Sequence, residues 1–258
     1  MTDALHLVRM VLDRRALLRI GQNHGHPRFD EGYLLHAGLS AAFATSDERA
    51  VVPLRSFGVD PLQDGGDLRV LGYAPFGERE LRERLGPSAG ALVRMVEARP
   101  VPTIEAGTRA TFLVRACPTV RTKQPGDREL ARDRKGRPRS REMDAYVHAT
   151  LGLPADALAR GLTLPTREAV YGKWLGDQLG DAATLVPVAA KNELVTIREL
   201  RRERIYRERG ARASERPNVV LEGTLVVSDA ERFRALLHRG VGRHRSFGFG
   251  MVLLRRAS

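Results

Sequence analysis

Hydrophobic and polar residues alternate in several short runs of this chain, and each such run predicts a β-strand. At 6–12, every second residue from His6 to Leu12 falls on one face. Runs at 51–59 and 68–73 flank the turn-forming residues 64–66, which predicts a hairpin. The first half is predicted to contain, in order, a strand at 6–12, a helix capped by Asp30 and ending near Ala44, strands at 51–59 and 68–73, a helix at about 78–97 broken near 86–87, and a possible short strand after Arg99.

The second half repeats this order of elements. It is predicted to contain a strand at 108–116, helices at about 141–150 and 166–179, strands at 184–190 and 218–227, a helix at 229–239, and a final strand at 251–254. Ser228 and Glu231 have the spacing of a capping box for the last helix, and Gly240 is placed to end it. Both halves therefore follow the order β-α-β-β-α-β.

This order is typical of the ferredoxin-like fold. The sequence thus predicts an α+β protein of two tandem ferredoxin-like (RRM-like) domains, residues 1–106 and 107–258, with the boundary near Gly107. A length of 258 residues with 42% hydrophobic content is enough for two separate cores. Trp174 and Tyr171 lie one helical turn apart and are predicted to anchor the second core.

The net charge of +12, from 43 Lys and Arg against 31 Asp and Glu, predicts a polyanionic partner. No apolar run of 18 residues is present, and the N-terminal residues lack the apolar core of a secretory signal, so we expect a cytoplasmic protein without a membrane partner. Cys117, the one cysteine, lies in a strand-like run and is expected to be a small core residue.

The segment from Gly240 to Gly250 combines glycines with basic side chains. Glycine lets backbone amides approach an anion closely, and arginine and histidine supply hydrogen-bond donors, so this segment predicts an RNA-phosphate loop. His244 is either a phosphate or base contact or a solvated loop residue. The expected contacts in this loop are Gly240, Gly242, Arg243, His244, Arg245 and Gly248.

Several segments together resemble the CRISPR-associated repeat-RNA endoribonucleases of type I-E systems, the CasE family of the RAMP superfamily. The run from Val220 to Asp229 and the glycine-rich segment resemble that family's closing strand, helix and loop. Residues 99–107 and 112–119 resemble its interdomain passage and the first strand of its second domain. Tyr33-Leu34-Leu35-His36 resembles its catalytic Tyr-x-x-His segment.

The chain also departs from the family pattern. Arg245 stands where lysine is usual, the loop with His24 and His26 is long, and residues 119–144 are unusually charged. These departures indicate a divergent branch of the family.

The resemblance implies a metal-independent endoribonuclease that cuts CRISPR precursor RNA at the base of the repeat stem-loop. Attack by a 2′-hydroxyl would leave 2′,3′-cyclic phosphate and 5′-hydroxyl ends, and the protein would stay on its product with other subunits of the Cascade complex. A second hypothesis is a noncatalytic RAMP-type RNA-binding subunit, and a third, more distant one is a DNA-binding regulator.

The resemblance assigns catalysis to His36 and Tyr33. From the residues alone, His36 would be a boundary histidine packed beside Tyr33 at i, i+3 on a helix. Imidazole suits proton transfer because its unperturbed pKa is about 6.5. His24 and His26 lack a nearby Asp, Glu or Cys at suitable spacing, so no metal and no cofactor are expected.

Two arginine-rich segments are predicted to bind RNA through its backbone. Duplex RNA hides its bases in a deep, narrow groove, which an inserted hairpin near 201–216 could enter at a helix end. The expected contacts are Arg121, Lys123, Arg137, Arg139, Arg201, Arg202 and Arg204.

Overall fold

The computed structural model describes residues 4–23, 31–44, 51–61, 66–122, 141–151, 153, 160, 163–188, 193–205 and 214–255. The first half forms β1 (His6–Asp13), α1 (Arg14–Asn23), α2 (Glu31–Ala42), β2 (Phe57–Pro61), β3 (Asp67–Ala74), α3 (Glu78–Glu83), α4 (Ala89–Leu92) and β4 (Val93–Pro100). Its antiparallel sheet has the strand order β2-β3-β1-β4. On β1, the predicted face of Val8, Met10 and Leu12 is completely buried.

The second half forms β5 (Arg109–Ala116), β6 (Thr119–Thr122), β7 (Arg141–Asp144), α5 (Ala145–Leu151), α6 (Arg167–Leu179), a 3₁₀ turn (Gly180–Ala182), β8 (Ala183–Val186), β9 (Thr196–Ile205), β10 (Ser214–Val227), α7 (Ala230–Arg239), a second 3₁₀ turn (Arg245–Phe247) and β11 (Val252–Arg255). The main sheet has the order β11-β5-β10-β8, and β9 pairs with β10. When β9 is left out and the four strands of each sheet are numbered in chain order, both sheets have the order 2-3-1-4. The α+β, tandem ferredoxin-like fold is therefore confirmed.

The two domains pack on each other through the outer face of the first sheet. Leu5 and Tyr73 are buried in the second domain's core, and Leu7 and Leu71 pack against it. The Tyr73 hydroxyl donates a 3.1 Å hydrogen bond to the Val252 carbonyl. Residues 101–108 connect the two sheets, and we propose the boundary at 106/107 within this connection.

The core of the second domain follows the predicted pattern. Tyr171 and Cys117 are 0% and 1% exposed, so both are buried as expected, and Trp174 is buried in the same core cluster as Tyr171. Burial raises the pKa of the Cys117 thiol to about 12. The thiol is therefore protonated at neutral pH.

Several element predictions in the two domains need correction, and the strand predicted at 51–59 begins only at Phe57. Residues 14–23 form α1, a helix that the predicted order of elements lacks, because Asp13 accepts a hydrogen bond from the Ala16 amide and Leu17 is buried. Residues 93–97 belong to β4, where they pair with β1, and not to a helix. Residues 141–144 form β7, which pairs with β6. The cap of α7 is Asp229, whose side chain accepts from the Arg232 amide, and not Ser228.

Candidate active site

The helix α2 carries His36 at the edge of its buried face. Leu35 and Leu39 are fully buried, whereas His36 is half-buried. A Cβ atom at Gly38 would lie 2.3 Å from the Leu17 side chain, so the absence of a side chain lets α1 and α2 approach closely. The position of His36 is therefore fixed by helix packing in the first domain.

The glycine-rich segment folds back on itself before entering β11. The Val241 amide donates to the Gly250 carbonyl at 2.8 Å, and the Gly250 amide donates to the Arg115 carbonyl at 2.7 Å. Gly250 has φ +84°, and a Cβ there would lie 2.2 Å from the Val241 oxygen. Glycine is thus required where the segment closes, and the closed segment presents the 3₁₀ turn Arg245–Phe247 toward α2.

His36 and Arg245 line one cleft, although they are 209 positions apart in the sequence. The cleft has a volume of about 440 Å³. The His36 and Phe247 rings lie 5.3 Å apart between centroids, with an interplanar angle of 36°. The lining residues are His36, Leu39, Ser40, Val52, Leu54, Arg55, Phe57, Arg239, Arg245 and Ser246. The cleft therefore combines an imidazole with three guanidinium groups.

Burial lowers the pKa of the His36 imidazole below its usual 6.5. The protein interior solvates a cation poorly, so the neutral form is favoured. At neutral pH His36 is accordingly a proton acceptor at the wall of a basic cleft.

Arg245 is half-buried and donates from Nη1 to the Arg239 carbonyl at 3.0 Å. This bond satisfies one of the free carbonyls at the C-terminus of α7. Burial, followed by the charges of Arg239 and Arg55, lowers the pKa of Arg245, yet a guanidinium stays protonated in proteins. Arg245 can therefore donate hydrogen bonds to an anion but does not act as a base.

Tyr33 lies one turn before His36 on α2 and is half-buried. It is not among the described residues that line the cleft. The structure thus places Tyr33 next to His36 in the helix, while the cleft itself is lined by the histidine.

Arg243 and His244 converge on Glu142 of β7. Arg243 Nη2 is 2.7 Å from Glu142 Oε1, and His244 Nε2 is 3.2 Å from Oε2. Arg216 Nη2 lies 3.1 Å from the same Oε2. The carboxylate and the His244 side chain are each 5% exposed, so the centre of this cluster is buried. Both predicted RNA contacts are engaged within the protein, where they hold the loop to β7.

The predicted loop glycines also face protein atoms. At Gly240, φ is +75° and a Cβ would lie 2.5 Å from the Ser56 side chain. A Cβ at Gly242 would lie 2.8 Å from the Trp174 ring, and one at Gly248 would lie 3.4 Å from Phe57. These glycines let the loop pack against both domains.

Of the remaining basic candidates, Arg121, Arg201 and Arg202 do not line the cleft. Arg201 and Arg202 are exposed on β9, where they lie 3.2 Å from Glu199 and 4.0 Å from Glu215. The backbone of Arg204 pairs with Glu215 in the predicted hairpin of β9 and β10. Arg121 is exposed on β6. Lys123, Arg137, Arg139, His24, His26 and Asp30 lie outside the described residues.

Within the described ranges, no group of three or more His, Cys, Asp or Glu side chains could hold a metal ion. Across the same ranges, no helix is long and apolar enough to cross a membrane.

Sequence reasoning missed Arg55, Arg239 and Ser246 of the cleft, Phe247 beside His36, and Glu142. In a chain with 43 Lys and Arg residues, a single arginine carries little information about its neighbours. The aromatic at 247 and the serine before it stand in the glycine-rich motif, and that motif was the available signal.

The sequence matches the family model for CRISPR associated protein over residues 5–256. Among curated protein sequences none matches significantly. Three solved structures are similar to this chain. Cse3 of Thermus thermophilus, bound to an RNA that represents a pre-cleavage complex, is 21% identical, with 98% of this chain and 99% of that chain covered and a TM-score of 0.56.

The CRISPR-associated protein Cas6e of Escherichia coli K-12 is 18% identical, with 98% and 100% of the two chains covered and a TM-score of 0.55. A chain of a CRISPR RNA-guided surveillance complex in a pre-nicking state is 17% identical, with the same coverage and a TM-score of 0.50. The fold of this chain is therefore that of Cse3 and Cas6e.

The glycine-rich loop of the second domain meets the histidine on α2 of the first. The class is therefore a two-domain α+β protein with a basic cleft between its ferredoxin-like domains. Because the family model covers nearly the whole chain, the chain belongs to the CRISPR associated protein family. The family resemblance seen in the glycine-rich segment is thereby confirmed.

Proposed function

We propose that this protein is an endoribonuclease that cuts CRISPR precursor RNA at the base of the repeat stem-loop. The observation that carries the proposal is the meeting of His36 and Arg245 in one cleft. A proton acceptor and a phosphate-binding cation are the groups that RNA cleavage by an internal nucleophile needs. The shared fold with Cse3 and Cas6e supports the same activity.

In the proposed reaction, neutral His36 takes the proton of the 2′-hydroxyl next to the cut. The 2′-oxygen attacks phosphorus, the bond from phosphorus to the 5′-oxygen breaks, and the leaving 5′-oxygen takes a proton from water. The products carry a 2′,3′-cyclic phosphate and a 5′-hydroxyl. Arg245 donates to the nonbridging oxygens, on which negative charge grows in the transition state. No metal ion and no cofactor takes part in this scheme.

Tyr33 is proposed as the partner of His36, orienting the phosphate or assisting the proton transfer. Its position one turn away on α2 is compatible with either role. Tyr33→Phe removes the hydroxyl and keeps the ring, so it tests the hydroxyl separately from packing.

The RNA partner is proposed to be the repeat stem-loop, with the hairpin of β9 and β10 and the edge at Arg121 contacting its backbone. The exposed charges of Arg201 and Arg202 suit this contact. Similarity to a chain of a CRISPR RNA-guided surveillance complex supports retention of the product with other Cascade subunits. We propose that this takes place in the cytoplasm.

The test is single-turnover cleavage of a labelled repeat hairpin in the presence of EDTA, with the product ends identified chemically. We expect one cut that leaves a cyclic phosphate, and none in a hairpin with a 2′-deoxy nucleotide at the cut. His36→Ala should abolish cutting and preserve hairpin binding. His148→Ala, which changes an exposed histidine of α5 outside the cleft, is the matched control and should cut normally.

Failure of the wild type to cut at any pH through the range of histidine titration would leave the noncatalytic RNA-binding subunit as the function. Normal cutting by His36→Ala would instead keep the activity and move the proton acceptor elsewhere.

A further inference from the structure

Three arginines from separate parts of the chain line the cleft. Arg55 precedes β2, Arg239 ends α7, and Arg245 begins the 3₁₀ turn. Within the described residues, no carboxylate is bound to any of the three guanidinium groups. By contrast, Arg232, which lies on α7 like Arg239, binds Asp181 and Asp229.

The charges of these arginines act on one another. Burial is the main cause of the lowered pKa of Arg245, and Arg239 and Arg55 lower it further. Arg55 also contributes to the lowered pKa of His238, after burial. Like charges brought together without a counterion destabilise the folded protein, and a bound anion removes that cost. The cluster is therefore complementary to a ligand with negative charge.

A second concavity adjoins the cleft. It has a volume of about 670 Å³ and is lined by Arg55 and residues 242–247. Arg55, Arg245 and Ser246 line both spaces. A phosphodiester chain carries one negative charge per nucleotide, so two adjoining basic spaces that share donors fit two consecutive phosphates.

We propose that Arg55, Arg239 and Arg245 form one site for two consecutive phosphates of a single RNA strand, with Arg239 at the phosphate beside His36 and Arg55 shared between both. This rests on the proposed function, because it places the phosphate to be cut beside His36. It assigns phosphate binding to Arg55 and Arg239, and it accounts for the absence, among the described residues, of a carboxylate bound to either of them.

The first experiment measures binding of a repeat hairpin that carries a 2′-deoxy nucleotide at the cut, over a range of salt concentrations. Each lost phosphate contact lowers the slope of log affinity against log salt by about 0.7 for a single strand. Arg55→Gln and Arg239→Gln should each lower the slope by about this amount, and Arg55→Lys should restore part of it. Arg79→Gln, an exposed arginine of α3 outside both spaces, should leave the slope unchanged.

The second experiment replaces one phosphate of the hairpin by a neutral methylphosphonate, beginning with the phosphate that follows the cut. In the wild type this replacement should weaken binding, and Arg55→Gln should weaken binding of the unmodified hairpin. The two changes together should weaken binding no more than either change alone, because both remove the same contact. The assignment would be overturned if the losses of binding free energy from Arg55→Gln and from the methylphosphonate add fully, both at the cut phosphate and at its neighbours.

Cleavage rates separate this inference from the proposed function. If the wild type binds but never cuts, and the arginine variants lose affinity as stated, the phosphate site stands and the enzymatic function falls. If the wild type cuts and both glutamine variants cut and bind like the wild type, the function stands and the phosphate site is wrong.

Discussion

The buried carboxylate of Glu142 is expected to be essential for the stability of the glycine-rich loop, and Glu142→Gln tests this. The carboxylate is 5% exposed and contacts Arg216, Arg243 and His244. Gln keeps the shape of the side chain and one acceptor oxygen but removes the charge that neutralises the arginines. The substitution thus isolates electrostatics from packing.

The magnitude follows from the burial of the partners. Removing one member of a buried ion pair costs about 3–5 kcal/mol, because the other charge stays uncompensated. Arg216 is 13% exposed, whereas Arg243 is 37% exposed and largely compensated by water. The Arg216 hydrogen bond to the Glu142 backbone carbonyl, 2.8 Å, survives the substitution. The expected loss is therefore near the lower limit, about 3 kcal/mol.

His244 adds a local reason for the loss. It has φ +59°, and among the described residues it is the one side-chain-bearing residue with a positive φ. The left-handed conformation costs a non-glycine residue about 1–2 kcal/mol. Contact with Glu142 offsets this cost. His244→Gly should therefore reduce the effect of Glu142→Gln when the two are combined.

The assay is urea unfolding at equilibrium, which gives the free energy of unfolding of each variant. Glu97→Gln is the matched control, since the Arg9–Glu97 pair lies 2.7 Å apart but both side chains are about one-third exposed. Pairs of this kind contribute about 1 kcal/mol or less. If Glu142→Gln costs no more than the control, the carboxylate does not hold the loop.

Two further results are expected. Because burial lowers the pKa of His36, the loss of cleavage rate on the acid side of the pH profile should be centred below pH 6.5; a midpoint above 6.5 in single-turnover profiles would contradict this. The stability that neutral His36 contributes should likewise be complete above pH 6.5 and be lost as the pH falls through its lowered pKa. Gly250→Ala should destabilise the fold by about 2 kcal/mol or more, since its Cβ would lie 2.2 Å from the Val241 oxygen. Gly90→Ala, with nothing within 4 Å of the Cβ, is the control in the same unfolding assay.

The strands that bury one face were readable from the sequence, because alternation has a period of two whatever the strand pairs with. The face of β1 and the pairing of β2 with β3 illustrate this. The helix predicted at 93–97 was wrong because the local pattern there fits more than one kind of element. Val93 and Val96 also suit a helical face, and the decision is made by pairing with β1, a contact distant in sequence.

The candidate site was readable only in part. The glycine-rich motif pointed to the loop, and the resemblance pointed to His36. The partners of Arg243 and His244 could not be read, because Glu142 lies about 100 positions away and no local pattern marks it. Nor could Arg55 be distinguished from other arginines, since its role depends on what lies opposite it in the folded protein.

The cleft joins the two ends of the chain, so its assembly depends on the packing between domains. His36 is fixed by packing within the first domain, and Arg245 by the closed loop of the second. Their relative position is set by contacts such as the buried bond from Tyr73 to the Val252 carbonyl, next to the loop's end. Burial raises the pKa of the Tyr73 phenol to about 12, so this donor keeps its proton throughout the range of histidine titration. The cleft is therefore complete only where the two domains pack together, because neither domain contains the whole site.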